Sequence, residues 1–398
     1  FNDVSSAKYA SKNIIKVYHQ KNIIWQISFN KYSSFKSSSG KLLLFNMNNS
    51  GSIEELYIND VKQDLPVHTL MRNPNNNTYE STGPARIYNL TENVNTIKIK
   101  GNFSLKGSNL NISDFKIGSK TTTTEAMFTE CGGTLQFHEF KNNEANNGEN
   151  IRNISNMFLN STYTDLDITN LKINNSRDIE GMFDGCKSLT TLKGLNTLIT
   201  NDVINMKNLF RNCESLLNLD VSNFNMKKVV NISGMFNNCK KITALSTNNW
   251  VGNEIKDISY LFSGCEELLS INISRLSFGK VEKINNLFEN CKKLSNLQMP
   301  IISIDNITNI SYVFFGCQSL NQTINIDNWI YDNVENMEGT FGDCPAFDTL
   351  NVSGWNISNV INISKTFYNS KNPMFDLVTW DTHKIEKYED CFKNVPIS

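Results

Sequence analysis

The sequence predicts an α/β solenoid that grows by stacking coils of about 26 residues, preceded by a small antiparallel β-domain. Three observations predict it. Cysteines recur at Cys186, Cys213, Cys239, Cys265, Cys291, Cys317 and Cys344, with gaps of 27, 26, 26, 26, 26 and 27 residues. A phenylalanine stands three residues before each of them, at Phe183, Phe210, Phe236, Phe262, Phe288, Phe314 and Phe341. Residues 1–118 lack this period and show short alternating runs broken by Gly, Asn and Pro.

The N-terminal segment, residues 1–40, contains NIIKVYHQKNIIWQI. Its two apolar runs, Ile14 to Tyr18 and Ile23 to Ile27, flank HQKN and predict a β-hairpin. Residues 41–118 contain SIEELYIND and NVNTIKIKG, both with the period-2 alternation of strands. They predict a small antiparallel, Ig-like β-domain, with GSKTTTTEAMF as the passage into the repeats.

In the solenoid, residues 119–398, one coil shows the pattern. In VVNISGMFNNC the apolar residues Val229, Ile232, Met235, Phe236 and Cys239 follow helical spacing, which predicts a short helical segment with one buried stripe. Leu219 and Val221 alternate with polar neighbours, which predicts a short strand with one face inward. Neither element buries its apolar face alone, so stacking forms the core. The Phe position extends to Phe128 and Phe158 upstream and to Phe367 and Phe392 downstream, giving about eleven coils.

The residues that look most like chemistry read better as packing. Nine cysteines cannot all pair, and equivalent ones are a full coil apart. None sits in a CxxC pair or beside a histidine, so a zinc site is not expected. Ser161, Ser370 and Val395 fill the same position, as expected of a small buried group. Trp250 and Trp355 lie eleven residues past their cysteines and Trp329 twelve past, while Phe224 and Leu276 take that place elsewhere, which fits a corner of the core.

A repeated motif, MF-x-x-C-x-x-L-x-x-L-D-V-S-x-F/W followed by V-x-N-M/I-x-x-M-F, stands here as MFDGCKSL, LFRNCESLLNLDVSNF and MFNNCKKI. It resembles the BspA-type leucine-rich repeats of bacterial surface proteins, which also occur in mycoplasmas, gut bacteria and gut-phage virions. The resemblance covers residues 120–398. It implies a right-handed superhelix with a parallel sheet on its concave face, a role in adhesion or host binding, and no catalytic residues. The short VY-x-x-x-x-IIW segment at Val17–Trp25 is similar to N-terminal segments of phage tail and virion proteins.

Given such a sheet, the polar residues alternating with the buried ones form the candidate ligand-binding strip. These are Asn218, Asp220 and Ser222; Ser246 and Asn248; Ser270, Asn272 and Ser274; Asn296 and Gln298; Asn325 and Asp327; and Asn351 and Ser353. At the spacing of sheet strands the strip is roughly 50 Å long. Its small uncharged hydrogen-bonding groups suit a glycan or a protein partner.

Composition narrows the classes. Lys+Arg 38 against Asp+Glu 39 gives a net charge of -1, with no electrostatic footprint for nucleic acid. No apolar stretch of about 18 residues predicts a membrane span. His19, His68, His138 and His383 are far apart and in no metal-ligand motif. No nucleophile elbow, P-loop or dinucleotide fingerprint occurs, so no enzyme, metal or cofactor is expected.

The reading is a non-enzymatic recognition, adhesion or structural protein displayed on a bacteriophage virion, as a tail fibre or a head or tail decoration. The alternatives are a secreted bacterial cell-surface adhesin binding host protein or glycan, and a purely architectural assembly subunit. Expected partners are proteins, namely virion subunits or a host surface receptor, with glycans and self-association as further classes.

Overall fold

The computed structural model describes residues 6–11, 14–19, 22–28, 33–37, 40–47, 53–66, 69–73, 78–81, 86–90, 95–101, 103–116, 124–137, 153–171, 176–247, 249–300, 306–321, 332–346, 352, 355–371, 377–378 and 380–396. The chain opens with a three-stranded antiparallel meander, β1 (Ser6–Ser11), β2 (Ile14–His19) and β3 (Asn22–Ser28). The hairpin expected around residues 14–27 is its second half.

Ten strands follow: β4 (Ser33–Ser37), β5 (Gly40–Met47), β6 (Ile53–Ile58), β7 (Val61–Lys62), β8 (Thr69–Asn73), β9 (Thr78–Ser81), β10 (Arg86–Leu90), β11 (Asn95–Gly101), β12 (Phe103–Ser104) and β13 (Asn109–Lys116). One sheet runs β10-β5-β8-β9, with β12 also on β5. The other runs β16-β15-β14-β13-β4-β11-β6-β7, where β14 is Gly132–Phe137, β15 Asp165–Asp167 and β16 Thr191–Lys193.

Two expectations change here. The β-rich part is not purely antiparallel, because β5 pairs with β8 and β13 with β14 in parallel. The second sheet also crosses both expected boundaries: β4 lies before residue 41, and the β13–β14 pair spans residue 118. Alternation specifies which face of a strand is apolar but not which neighbour it bonds to or in which direction.

The repeats form a β-rich, nearly helix-free, solenoid-like stack. Among the described residues the only helix is the 3-10 turn Leu195–Thr197. The helical segment expected in each coil is instead a run of tight turns. In the unit 229–239, Met235, Asn237 and Cys239 donate their N–H groups three residues back, to Ile232, Gly234 and Phe236, at 3.2, 3.0 and 3.0 Å. The alternate amides of Ile232, Gly234, Phe236 and Asn238 point instead to the next unit, onto the carbonyls of Asp257, Ser259, Leu261 and Ser263 at 3.1, 2.8, 3.0 and 2.7 Å.

Left-handed residues make this alternation. Gly234 and Asn238 have φ of 61° and 59°, and equivalent pairs four apart recur as Asn208 and Asn212, Tyr260 and Gly264, Asn286 and Asn290, and Gly339 and Asp343. An α-helix cannot carry a left-handed residue every fourth position. The turns still return Ile232, Met235, Phe236 and Cys239 to one side, so the apolar spacing mimics a helix.

Most turn runs begin with an Asx turn, while Lys283 and Lys387 take that place in two units. Asn231 Oδ1 accepts the N–H of Ser233 at 2.8 Å and Asp257 Oδ1 that of Ser259 at 3.0 Å. These Asx residues form a ladder of single parallel bridges, Asn205 to Asn231 to Asp257.

Inside, the phenylalanines stack from Phe128 to Phe392. Neighbouring rings are near-parallel with centroids 5.3 Å apart at Phe183–Phe210 and 6.2 Å at Phe341–Phe367. Such buried rings are each worth roughly 3–5 kcal/mol against alanine. Trp250 and Trp355 are buried beside the stack, and Trp250 Nε1 donates to the Val221 carbonyl of the unit before at 3.0 Å.

The cysteines are free and buried, and they do more than fill space. Cys239 Sγ donates to the Phe210 carbonyl at 3.1 Å, which also accepts the Cys213 N–H at 3.1 Å. Cys213, Cys265, Cys291 and Cys317 bond the preceding unit's Phe carbonyl in the same way. Recurrence alone did not disclose this bond, since a cysteine kept for volume would recur identically.

The stack begins before residue 119. Leu105 N–H donates to Met127 O at 2.8 Å, Gly107 N–H to Thr129 O at 3.1 Å, and Cys131 Sγ to Leu105 O at 2.9 Å. Residues 104–108 therefore form a truncated unit with Leu105 in the Phe place and Ser108 in the Cys place. With neither marker residue present, the period hid it.

Two predictions follow from this packing. Gly264 has φ of 74°, and a Cβ there would lie 2.3 Å from Asn238 Oδ1. Gly264→Ala should lower stability by about 1–3 kcal/mol, read from denaturant unfolding of the full chain. Separately, burial pushes the Cys265 and Cys344 thiols from 9.0 up to about 12. The folded chain keeps these protons where the unfolded chain releases them. The stability they contribute is whole below pH 9 and falls as pH rises toward 12, so unfolding midpoints should drop across that range while the thiols resist labelling until the chain opens.

Candidate functional site

The candidate strip lies on strands whose inward residues anchor the core. In register 26 residues apart, Leu219 bridges Leu245, Ala244 bridges Ser270, and β17 (Ser270–Asn272) pairs in parallel with β18 (Asn296–Gln298). Leu219, Leu245, Ile271 and Leu297 are buried. Their neighbours Asn218, Asp220, Ala244, Ser246, Ser270, Asn296 and Gln298 are exposed, and Asn272 is half-buried.

Four of the expected site residues come together. Ser270, Asn272, Asn296 and Gln298 line one open depression of about 270 Å³, with Leu245 and Ile271 as its apolar floor. Leu245 and Ile271 are themselves buried, so the surface the depression presents is mainly polar. The amides of Asn296 and Gln298 each offer both donor and acceptor atoms.

Others are partly committed to local turns. Asn272 Oδ1 accepts the N–H and hydroxyl of Ser274 at 3.0 and 2.7 Å. Asp220 Oδ1 accepts the Ser222 N–H at 3.0 Å, and the Ser222 hydroxyl and N–H hold the Asp220 carboxyl below the usual range. Asp220 and Ser222 thus shape the strand exit. Asn248, Asn325, Asp327, Asn351 and Ser353 lie outside the described residues, as do His68, His138 and Trp329.

Charge is arranged around the depression but not within it. Its polar lining is wholly uncharged. Nearby charges pair one repeat apart: Lys240 with Glu214 at 2.7 Å, Lys292 with Glu266 at 2.7 Å, and Lys293 with Glu267 at 2.5 Å. Further along, Lys256 pairs with Glu282 at 2.8 Å and Lys280 with Glu254 at 2.7 Å. Exposed pairs of this kind add little stability, but they cancel the local field.

The face also carries two residues that the strip omitted. Leu217 and Leu269 are 52% and 50% exposed, at equivalent positions two units apart. Their signal is legible as the doubled leucines of 216–217 and 268–269, where the unit between has Ile242 and Thr243. Among the described residues no group of His, Cys, Asp and Glu is placed to hold a metal ion, and no helix is long and apolar enough to cross a membrane. His383 is exposed and contacts Asp381 through Nδ1 at 2.6 Å.

No curated protein and no solved structure matches the chain. One family profile matches it three times in succession, over residues 91–194, 182–300 and 297–397, and its first match starts in the β-rich part, before the truncated unit at 104–108. With the repeats matched from end to end, the chain belongs to the family described as "Mycoplasma protein of unknown function, DUF285".

Proposed function

We propose that the chain is a non-enzymatic recognition module that binds a partner through the strand face of its repeats. In this reading the stack is a right-handed solenoid of about eleven units with the paired strands on its concave side. The observation that carries the proposal is the uncharged depression lined by Ser270, Asn272, Asn296 and Gln298 on an exposed sheet. Polar amides in an uncharged lining suit a ligand held by hydrogen bonds and contact area. Rigid stacked strands keep those groups in place, which limits the entropy lost on binding.

Such a module would be displayed on a virion, as a tail fibre or decoration, or on a bacterial cell surface. The meander and β-rich region then serve as the attachment side and the repeats as the presented side. An architectural role is the rival reading, in which the same face packs against a neighbouring subunit.

Glycan-array and host-cell binding by the full chain tests the proposal, with Asn296→Ala/Gln298→Ala as the comparison. Both side chains are exposed, so the double variant should unfold within about 0.5 kcal/mol of the parent. Binding by the parent that falls at least about tenfold in the variant supports recognition through this face. Equal binding by both chains, or no binding together with a large symmetric assembly through this face, rules it out.

A further inference from the structure

We infer that the partner on this face is an uncharged, extended polypeptide segment bearing two apolar side chains three residues apart. The inference rests on the recognition reading above and narrows its partner class.

Leu217 and Leu269 are the starting point. Both are about half-exposed and occupy the same place in units two apart. The bridges Leu219 to Leu245 and Ala244 to Ser270 keep the units in register, so two steps of about 4.8 Å put the leucines about 10 Å apart along the stack. Exposed Thr243 lies between them and exposed Ser295 one step beyond. Two apolar knobs on a polar sheet face are what an apolar side chain of a partner would seat against.

Spacing selects the conformation. A polyproline-type extended chain repeats every three residues with a rise of about 3.1 Å, which places residues i and i+3 on one side about 9 Å apart. A β-strand puts like-facing side chains about 6.6 or 13 Å apart, so it meets one leucine and misses the other. An extended chain of the first kind also has no internal hydrogen bonds. Its free N–H and C=O groups face Asn296 and Gln298, whose amides supply both donors and acceptors, and the Asn272 Nδ2 group, which supplies donors.

Charge and aromatics set the class. The depression has no charged lining, and the flanking Lys and Glu residues neutralise one another across units. A sulfated or phosphorylated ligand would find no cation in that lining. Sugar rings would be expected to stack on exposed aromatics, and the described residues of this face contribute none.

The test pans a library of random short peptides on the full chain, with neutral and sulfated oligosaccharides offered in parallel. Binders should converge on uncharged sequences with apolar residues at i and i+3. Their affinity should be unchanged between low and high salt. It should fall at least about tenfold in Leu217→Asp/Leu269→Asp and in Asn296→Ala/Gln298→Ala, with the circular dichroism of both variants intact. Peptides that bind the leucine variant equally, or binding that weakens with salt, overturn the proposal. Oligosaccharides that bind through Asn296 and Gln298 while peptides do not would overturn it too and leave the recognition reading standing. A folded chain whose face binds neither class would remove both.

Discussion

Backbone amides donated from one repeat to the carbonyls of the next organise this molecule. In each unit alternate N–H groups leave along the stack and the intervening ones close tight turns, as at Ile232, Gly234, Phe236 and Asn238. That division needs left-handed residues four apart, which explains the asparagines and glycines beside the Met-Phe pair. Units are coupled side chain to backbone as well. Asn238 Oδ1 lies over Gly264, and Asn160 Oδ1 lies over Gly185 in the same way. A bulky residue at one such glycine would disturb the unit before it.

Once the amides hold the units in register, identical side chains must meet. The phenylalanines stack ring on ring because their Cα positions are repeated by translation, and the cysteine thiols fall under the preceding unit's Phe carbonyl for the same reason. A buried carbonyl at a tight bend has a second lone pair to satisfy, and a thiol is small and apolar enough to reach it without a cavity. This accounts for a cysteine that recurs as a free, buried thiol. The indole N–H of Trp250 treats the Val221 carbonyl alike.

The same translation shapes the surface. Opposite charges at equivalent positions become neighbours, as Glu214 and Lys240 do, and neutralise one another. Where the equivalent positions are Ala244, Ser270 and Asn296, the result is an uncharged polar depression over buried Leu245 and Ile271. The candidate site is therefore a local departure from the charge ladder on a scaffold that is otherwise uniform.

By itself the sequence determined the period and the buried positions, because a repeat that must stack writes its core into a regular spacing of Phe, Cys and Leu. The same spacing misreported the local structure: Ile232, Met235, Phe236 and Cys239 fit a helix, and only the left-handed residues between them, whose φ a sequence does not state, turn the segment into stacked turns. Nor could periodicity find the truncated unit at 104–108, where Leu105 and Ser108 replace the marker residues and hydrogen bonds to Met127 and Thr129 carry the identity. Tertiary structure alone decided that the β-rich region shares a sheet with the repeats, since strand partners are chosen by long-range pairing. It alone brought Ser270, Asn272, Asn296 and Gln298 around one depression, because only in-register stacking turns residues 26 apart into neighbours.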